Sequence, residues 1–468
     1  MTISNPDLEP VDAGNANARG SADVLRHVKN PLGHAAEQPE TYIVAVPDMA
    51  GRLVGKRLDA RFYESHGHDG VRTCDVVFGW GIGHELLDGF ESVGWEHGYG
   101  DFVAMPDHAA DRPAAWWPRT NLVVADAVRD DGNPVPIAPR SILQRQVTRA
   151  TELGLRPLLA SELEFTIFDE TPTTLDDKGY TRLEPHGRQL HPELVESTGF
   201  DEEALLSALR RNLVDSGIPV ESIKAEYSRG QFELVMSYAA AVEAADNHAV
   251  YKLAVREMCR RAGLSATFMA KWHEDFGGSS CHLHISFSDE SGSNVFADDD
   301  TVLRHFIGGL QRYAADVFLL WAPYPNSYKR FRPGTFAPAS LSWGADNRTA
   351  ALRVTGGGKG RHLENRIPGA DVNPYLAYSG MLAAGMAGIE QRIEPVDGVG
   401  HGNAYASDDL TSLPGSLDEA IDNFAASAFT RAAFGDLVVD HIANFAAHEL
   451  AASRTAVTDW DRRRLFDI

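Results

Sequence analysis

Cysteine is scarce in this sequence: Cys74, Cys259 and Cys281 are the only three in 468 residues. They are odd in number, far apart and never in a CxxC pair. That excludes a disulfide framework and a thiolate zinc site, and it is the usage expected of a cytoplasmic protein. Long apolar runs are also missing, and none reaches the ~18 residues of a membrane span. The opening stretch, MTISNPDLEPVDAGNANARGSADV, is polar and lacks an apolar signal core, so residues 1–36 read as a mobile tail. Positive charge is in deficit, with a formal net charge of −23. Such a field disfavours nucleic acid and anionic membrane as partners. No GxxxxGK[ST] is present, nor a GxGxxG opening a helix, so phosphates are not held by a P-loop or a dinucleotide fold. Solenoid repeats and low-complexity tracts are absent as well.

The length calls for two or three domains, or one large catalytic body with a small appendage. TYIVAVPDMAGRLVGKRL (41–58) is β-branched around a glycine turn and predicts a hairpin. DVVFGW (75–80), GDFVAMPD (100–107) and NLVVADAV (121–128) read as further strands, so 37–138 is expected to be a small β-rich domain. PRSILQRQVTRATELG (139–154), with a proline start and a glycine stop, predicts the helix that opens a larger region, 139–468. In it LRPLLASELEFTIFD (155–169) and GSSCHLHISFSD (278–289) are strand candidates. Helices are expected over 201–217, 239–263, 301–322 and 373–393. Strands and helices mix without a regular βαβ beat, which selects an α+β fold.

Three polar pairs sit two residues apart on strand-like segments: Glu162/Glu164, His282/His284 and Glu364/Arg366. Residues i and i+2 of a strand share a face, so each pair presents two ligating or charged groups together. Glu226 and Glu233 bracket EYSRGQFE, where Gly230 permits a tight turn. Any one such pair is more often a solvated strand face. Four in one chain point to a metal centre, and glutamates with one histidine suit Mg²⁺ or Mn²⁺. Arg330, Arg332, Arg348, Arg353, Lys359, Arg361 and Arg366 crowd into about 37 residues of an otherwise acidic chain. Guanidinium forks match phosphate and carboxylate geometry, and carboxylate-held metal beside arginines is the apparatus of phosphoryl transfer from ATP.

The ordered segments GYGDFVAMPD, SELEFTIFD, EYSRGQFE, GGSSCHLHIS, NSYKRFRPG, NRTAALRV and RHLENRIPGADVNPYLA resemble the glutamine synthetase family across roughly residues 41–468. The resemblance implies a small N-terminal β-grasp-like domain, a large C-terminal catalytic domain, and stacked hexameric rings (a dodecamer) with active sites between subunits. By position it implies that Glu164, Glu226 and Glu233 hold a first metal, and Glu162, His282 and Glu364 a second beside the ATP phosphates. Arg330 and Arg366, with the backbone at Gly278, would bind glutamate. Arg348 and Arg353 would contact phosphate, with His284 and Ser286 on the nucleotide side. Arg366, Arg348 and Phe336 are the residues expected at the reacting groups.

The chain departs from the family in the part that handles the nitrogen. The flap RFRPGTFAP carries Phe336 where ammonium users have a glutamate. Gly79 or Gly81 of CDVVFGWGIG stands where they have an aspartate, although Asp75 is a partial substitute, and Gly277 replaces an asparagine. Loss of two carboxylates and gain of an aromatic make room for carbon on the nitrogen. This is similar to γ-glutamyl-amine ligases, which join glutamate to polyamines, ethanolamine, alkylamines or anilines. Three readings compete with it: a glutamine synthetase using ammonium, a catalytically inactive structural or regulatory homologue, and a guanidino kinase. The full ligand set and the motif order disfavour the last two.

Overall fold

A computed structural model describes residues 38–187, 200–396, 398–407 and 409–468. The expected tail, 1–36, lies outside the described residues. A first sheet contains β1 (Thr41–Pro47), β2 (Leu53–Asp59), β3 (Val71–Cys74), β4 (Asp101–Pro113) and β5 (Thr120–Val128), in the order β2-β1-β5-β4-β3. Strands β1 and β5 are parallel and the other neighbours antiparallel. The expected hairpin is β1–β2. Its turn is built by Asp48, whose Oδ1 accepts from the amides of Ala50 (3.0 Å) and Arg52 (2.8 Å), and by Gly51 at φ +76°.

DVVFGW is not a strand. Asp75–Phe78 forms a 3-10 turn closed by the Gly79 amide on the Val76 carbonyl (2.9 Å). Val77 and Phe78 are both buried, although adjacent residues of a strand face opposite ways.

The second sheet has nine strands: β6 (Arg156–Phe168), β7 (Val220–Ala225), β8 (Gln231–Met236), β9 (Ala239–Ala240), β10 (Ser265–Thr267), β11 (Cys281–Ser288), β12 (Trp343–Ala345), β13 (Leu352–Thr355) and β14 (His362–Asn365). Its path is β12-β13-β14-β11-β6-β8-β7, with β9 and β10 also paired to β6. The main helices are α1 (Pro139–Glu152), α2 (Phe200–Asp215), α3 (Ala241–Arg261), α4 (Asp300–Val317), α5 (Pro374–Gln391) and α6 (Asp436–Thr455). Residues Pro374–Gly388 of α5 are buried without a break, so it is the central core helix rather than a surface one. Helix α4 crosses it at glycine: a Cβ on Gly309 would lie 2.6 Å from the Gly388 Cα, so the two backbones touch.

The first sheet is tied to these helices by Arg140, 2% exposed, at the start of α1. Its guanidinium holds Asp246 of α3 (3.1 and 2.9 Å), Asp107 of β4 (2.6 Å) and Asp126 of β5. Tyr375 of α5 donates its hydroxyl to Asp246 (2.7 Å). Buried charge is tolerated when every partner is present, as here.

Candidate active site: two carboxylate clusters on one sheet face

Strand register brings the separate sequence pairs together. Glu162 lies opposite His282, Glu164 opposite Glu233, His284 opposite Glu364, and Glu364 opposite Arg353. Directly opposed residues of neighbouring strands point to the same side. One face of the second sheet therefore carries Glu233, Glu164, Glu162, His282, His284, Glu364 and Arg353 in a row across five strands. Ser286, two residues beyond His284, is on the same face. Leu163, Phe165, Leu283, Ile285 and Leu363 alternate with them and fill the core on the other side.

Two groups have ligand atoms within 4.8 Å of one another: Glu164, Glu226 and Glu233, and Glu162, His284 and Glu364. The first joins the three glutamates expected to act together. Ser280 donates its amide (2.9 Å) and hydroxyl (2.7 Å) to Glu164, and Gln231 its side-chain amide (3.1 Å). Lys224, opposite Glu233, lies 2.7 Å from Glu226. Burial, then the charge of Glu226, raises the Glu164 carboxyl to about 7. Burial, then Glu162, Glu164 and Glu226, raises Glu233 to about 8. Three carboxylates against one lysine are short of positive charge, and an all-oxygen donor set fits a hard divalent cation.

The second group takes His284, while His282 also touches both carboxylates: its Nδ1 is 3.0 Å from Glu162 and 3.3 Å from Glu364. His284 Nε2 is 3.2 Å from Glu162. Burial, then the charge of Arg366, lowers His282 to about 4, so its imidazole is neutral at pH 7. Burial pushes Glu162 up, but hydrogen bonds from the two histidines override it and hold the carboxyl well below the usual range. Glu364 is fully buried and paired with Arg366 Nη1 and with Arg353 Nη1 (2.8 Å). Despite burial, His282 and Arg366 bring it down to about 2. Two anionic carboxylates with a neutral imidazole are a donor set that fits a divalent cation.

The arginines divide into three kinds. Arg330 and Arg366 are buried, and their Nε–H groups have no hydrogen-bond partner among the described residues. Such open donors fit an anionic ligand. Gly278 packs against Arg330, and a Cβ there would come within 2.6 Å of the Arg330 Cγ. Arg353 is shared between Glu364 and Asp346 (Nε to Oδ1 3.1 Å). Arg348 is exposed, and its charge helps lower the Asp346 carboxyl.

Phe336 stands at φ +58° and 51% exposed, a left-handed backbone that costs a non-glycine residue about 1–2 kcal/mol. Arg366 Nη2 donates to its carbonyl (3.4 Å), and its ring centroid is 6.4 Å from that of Tyr227, the residue after Glu226. The Tyr405 hydroxyl donates to the next carbonyl, Ala337 (2.9 Å). An aromatic pair thus stands beside the first cluster. Asp75, Gly79 and Gly81 lie instead on the first sheet's 3-10 turn and the loop after it, and Asp75 Oδ1 is buried without a hydrogen-bond partner among the described residues.

Residues 136–465 match the family described as glutamine synthetase, catalytic domain. The chain belongs to the glutamine synthetase family. A gamma-glutamylethanolamide synthetase of Streptomyces coelicolor is 42% identical to this family member over 440 residues, covering 92% of this chain and 94% of its own. A glutamate–isopropylamine ligase of a Pseudomonas species is 32% identical over 441 residues, covering 92% and 95%. Among solved structures, a GmaS/ADP complex aligns with a TM-score of 0.80 at 26% identity, over 96% of this chain and 99% of that one. The expected α+β glutamine synthetase fold is what these likenesses support.

Lys224, Gln231, Ser280, Tyr227 and Asp346 also contact the two clusters or their partners and were not singled out from sequence. Gln231, Ser280 and Tyr227 lie inside the family-like segments EYSRGQFE and GGSSCHLHIS, which was their available signal. Lys224 and Asp346 become visible only through strand pairing.

Proposed function

We propose that the protein is an ATP-dependent carbon–nitrogen ligase that joins the γ-carboxylate of glutamate to an organic primary amine. The observation that carries the choice of amine is Phe336, whose carbonyl accepts from Arg366 and whose ring lies near Tyr227, at the position where ammonium users of the family have a glutamate. The names of the two relatives, an ethanolamide synthetase and an isopropylamine ligase, support it. The ammonium reading has no acidic group at position 336 to draw on.

In this reading Glu164, Glu226 and Glu233 hold one Mg²⁺ or Mn²⁺, and Glu162, Glu364 and an imidazole hold another. His282 is the assigned imidazole, with His284 within reach. Bound there, the cations neutralise charge on the ATP phosphates and the glutamyl carboxylate. Ser280 and Gln231 fix the Glu164 carboxylate. Arg330 and Arg366 offer their open N–H groups to glutamate, and Gly278 leaves the room Arg330 needs. Arg353 and Arg348 meet the phosphates, with His284 and Ser286 on the nucleotide side.

A γ-carboxylate oxygen attacks the γ-phosphorus and ADP leaves, giving γ-glutamyl phosphate. The neutral amine nitrogen then attacks the carbonyl carbon, the C–O bond to phosphate breaks, and one N–H proton leaves with the departing group as hydrogen phosphate. The Phe336 and Tyr227 rings shelter the carbon carried by that nitrogen.

The reading extends to a ring-shaped homo-oligomer, which the exposed apolar residues Trp460, Leu465 and Phe466 near the C-terminus support. Light scattering on purified protein tests it. A cytoplasmic location is supported by three free cysteines, two of them buried. Among the described residues no helix is long and apolar enough to cross a membrane.

The deciding assay is ADP release with glutamate and ATP, screened over ammonium, ethanolamine, isopropylamine, putrescine and aniline. A preference for ammonium over every organic amine sinks the choice of substrate. No ADP with any of them leaves the inactive homologue.

A further inference from the structure

A cavity of about 520 Å³ opens beside the segment 324–329, and it is lined by Arg52, Lys252, Arg256 and Lys329, with Phe268 and Tyr324 supplying apolar wall. Four cations in one cavity are out of keeping with a chain of net charge −23. Two of them are already committed. Arg52 is held by Asp48 (2.7 Å) and by the Ile82 carbonyl (2.7 Å), and Lys252 Nζ donates to the carbonyls of Ala370 (2.8 Å) and Val372 (3.3 Å). Arg256 differs: among the described residues its guanidinium has no hydrogen bond and no ion pair. It rests only on the Phe268 ring, 5.6 Å from the centroid, and Lys252 Nζ sits 5.2 Å from the same ring. Burial, then the charges of Arg260 and Arg52, pushes the Arg256 guanidinium down to about 10, so the site works against its own cation. Lys329 is exposed at the rim and likewise unpaired among the described residues.

An unpartnered, largely desolvated guanidinium with five donors is a fork for a planar or tetrahedral oxyanion. Neither acidic wall residue pairs with Arg256. Asp371 accepts from Ser327 on Oδ2 (2.6 Å) and leaves Oδ1 without a partner among the described residues, and burial raises both the Asp371 and Glu449 carboxyls, weakening them as counter-charges. We propose that this cavity is a second ligand site, which takes a small organic or inorganic oxyanion, carboxylate or phosphate, on Arg256 and Lys329. It is separate from the glutamate and nucleotide site but mechanically close to it. The wall residue Tyr324 gives its amide to Ser327 Oγ (3.1 Å), and the turn Ser327–Arg330 ends on a proposed glutamate-binding arginine. Occupancy of the cavity therefore bears on how Arg330 is held.

The test is equilibrium dialysis of labelled succinate and labelled inorganic phosphate against the full-length protein, in 50 mM and 300 mM NaCl. One saturable equivalent of either probe that depends on Arg256 is expected, apart from any held by the glutamate- and phosphate-binding arginines, and it should weaken several-fold at the higher salt. Arg256→Gln should weaken it tenfold or more and Lys329→Gln by several-fold, while Arg330→Gln leaves it within twofold. Lys329 is an exposed loop residue, so its variant keeps the test informative if Arg256→Gln folds poorly. Binding lost in Arg330→Gln but kept in Arg256→Gln would place the anion in the glutamate site and overturn the proposal. No saturation by 10 mM of either probe would also overturn it. The outcome does not depend on which amine the enzyme ligates.

Discussion

Raising the pH should destabilise this protein when divalent metal is absent, and metal should abolish that dependence. Glu233 titrates near 8 and Glu164 near 7 in the metal-free fold, against an ordinary 4.5. Both carboxyls are raised, so between 4.5 and these values the folded chain binds more protons than the unfolded one. Their contribution is full below about pH 4.5, falls as pH rises from there to 7 and 8, and is gone above 8. The Glu233 displacement alone corresponds to about 5 kcal/mol at roughly 1.4 kcal/mol per unit. The Glu164 contribution shares the same repulsion and is not added. At roughly 2.1 cal/mol/K per residue, unfolding of the chain carries about 1 kcal/mol/K, so Tm should drop by about 5 °C from this source.

The measurement is thermal unfolding from pH 5.5 to 8.5 in EDTA and in saturating MgCl₂. Titrations outside the two carboxylate clusters act equally in both arms, so the gap between the two Tm values isolates the clusters, and Glu233→Gln then singles out the first. Over this range the gap should widen by about 3–4 °C toward alkaline pH, since about one unit of the Glu233 displacement lies below pH 5.5, and a cation replaces the protons at no cost in repulsion. Glu233→Gln, a neutral amide of the same shape, should remove most of the widening. A gap that stays constant with pH, or that is larger at pH 5.5, refutes the crowding of Glu164, Glu226 and Glu233 as a cation site.

Three further outcomes are expected. Glu226→Ala should abolish ADP release with every amine, and activity within tenfold of wild type would remove it from the metal assignment. Arg366→Ala should raise the glutamate KM and lower kcat together, since the lost N–H groups are proposed to meet the reacting substrate; an unchanged glutamate response takes it out of the site. Phe336→Glu should raise ammonium-dependent turnover, one pre-organised electrostatic group being worth about 2–4 kcal/mol, and should depress turnover with bulky amines. A variant that loses both activities equally would mean that Phe336 only shapes the loop.

The i, i+2 pairs were legible because strand geometry is local: Glu162/Glu164 and His282/His284 must share a face wherever the strand lies. Which pair meets which was not. Glu364 faces His284, and Glu233 faces Glu164, only because β14 and β8 pair with β11 and β6 at that register, which is set by long-range packing. The same limit hid Lys224 and Asp346. DVVFGW misled because consecutive β-branched and aromatic residues are equally at home in a buried 3-10 turn, and Gly79 closes that turn. Arg348 and Arg353 were paired by resemblance to the family, and what sequence did not show is their different settings, Arg348 exposed and Arg353 locked to Glu364.

Arg140 also bears on which parts of this chain can exist alone. The stretch that matches the catalytic family, 136–465, includes Arg140 and Asp246 but not Asp107 or Asp126. Cut there, the guanidinium would keep one of its three carboxylates. Breaking a buried ion pair costs about 3–5 kcal/mol, a large part of what holds a typical domain folded. An excised catalytic segment should therefore unfold at clearly lower urea than the whole chain, and equal midpoints would show the network to be dispensable. With the network in place, the first sheet is a fixed wall of the enzyme rather than a movable appendage, and the loop from Gly79 to Glu85 that it carries is held at one orientation to its own helices.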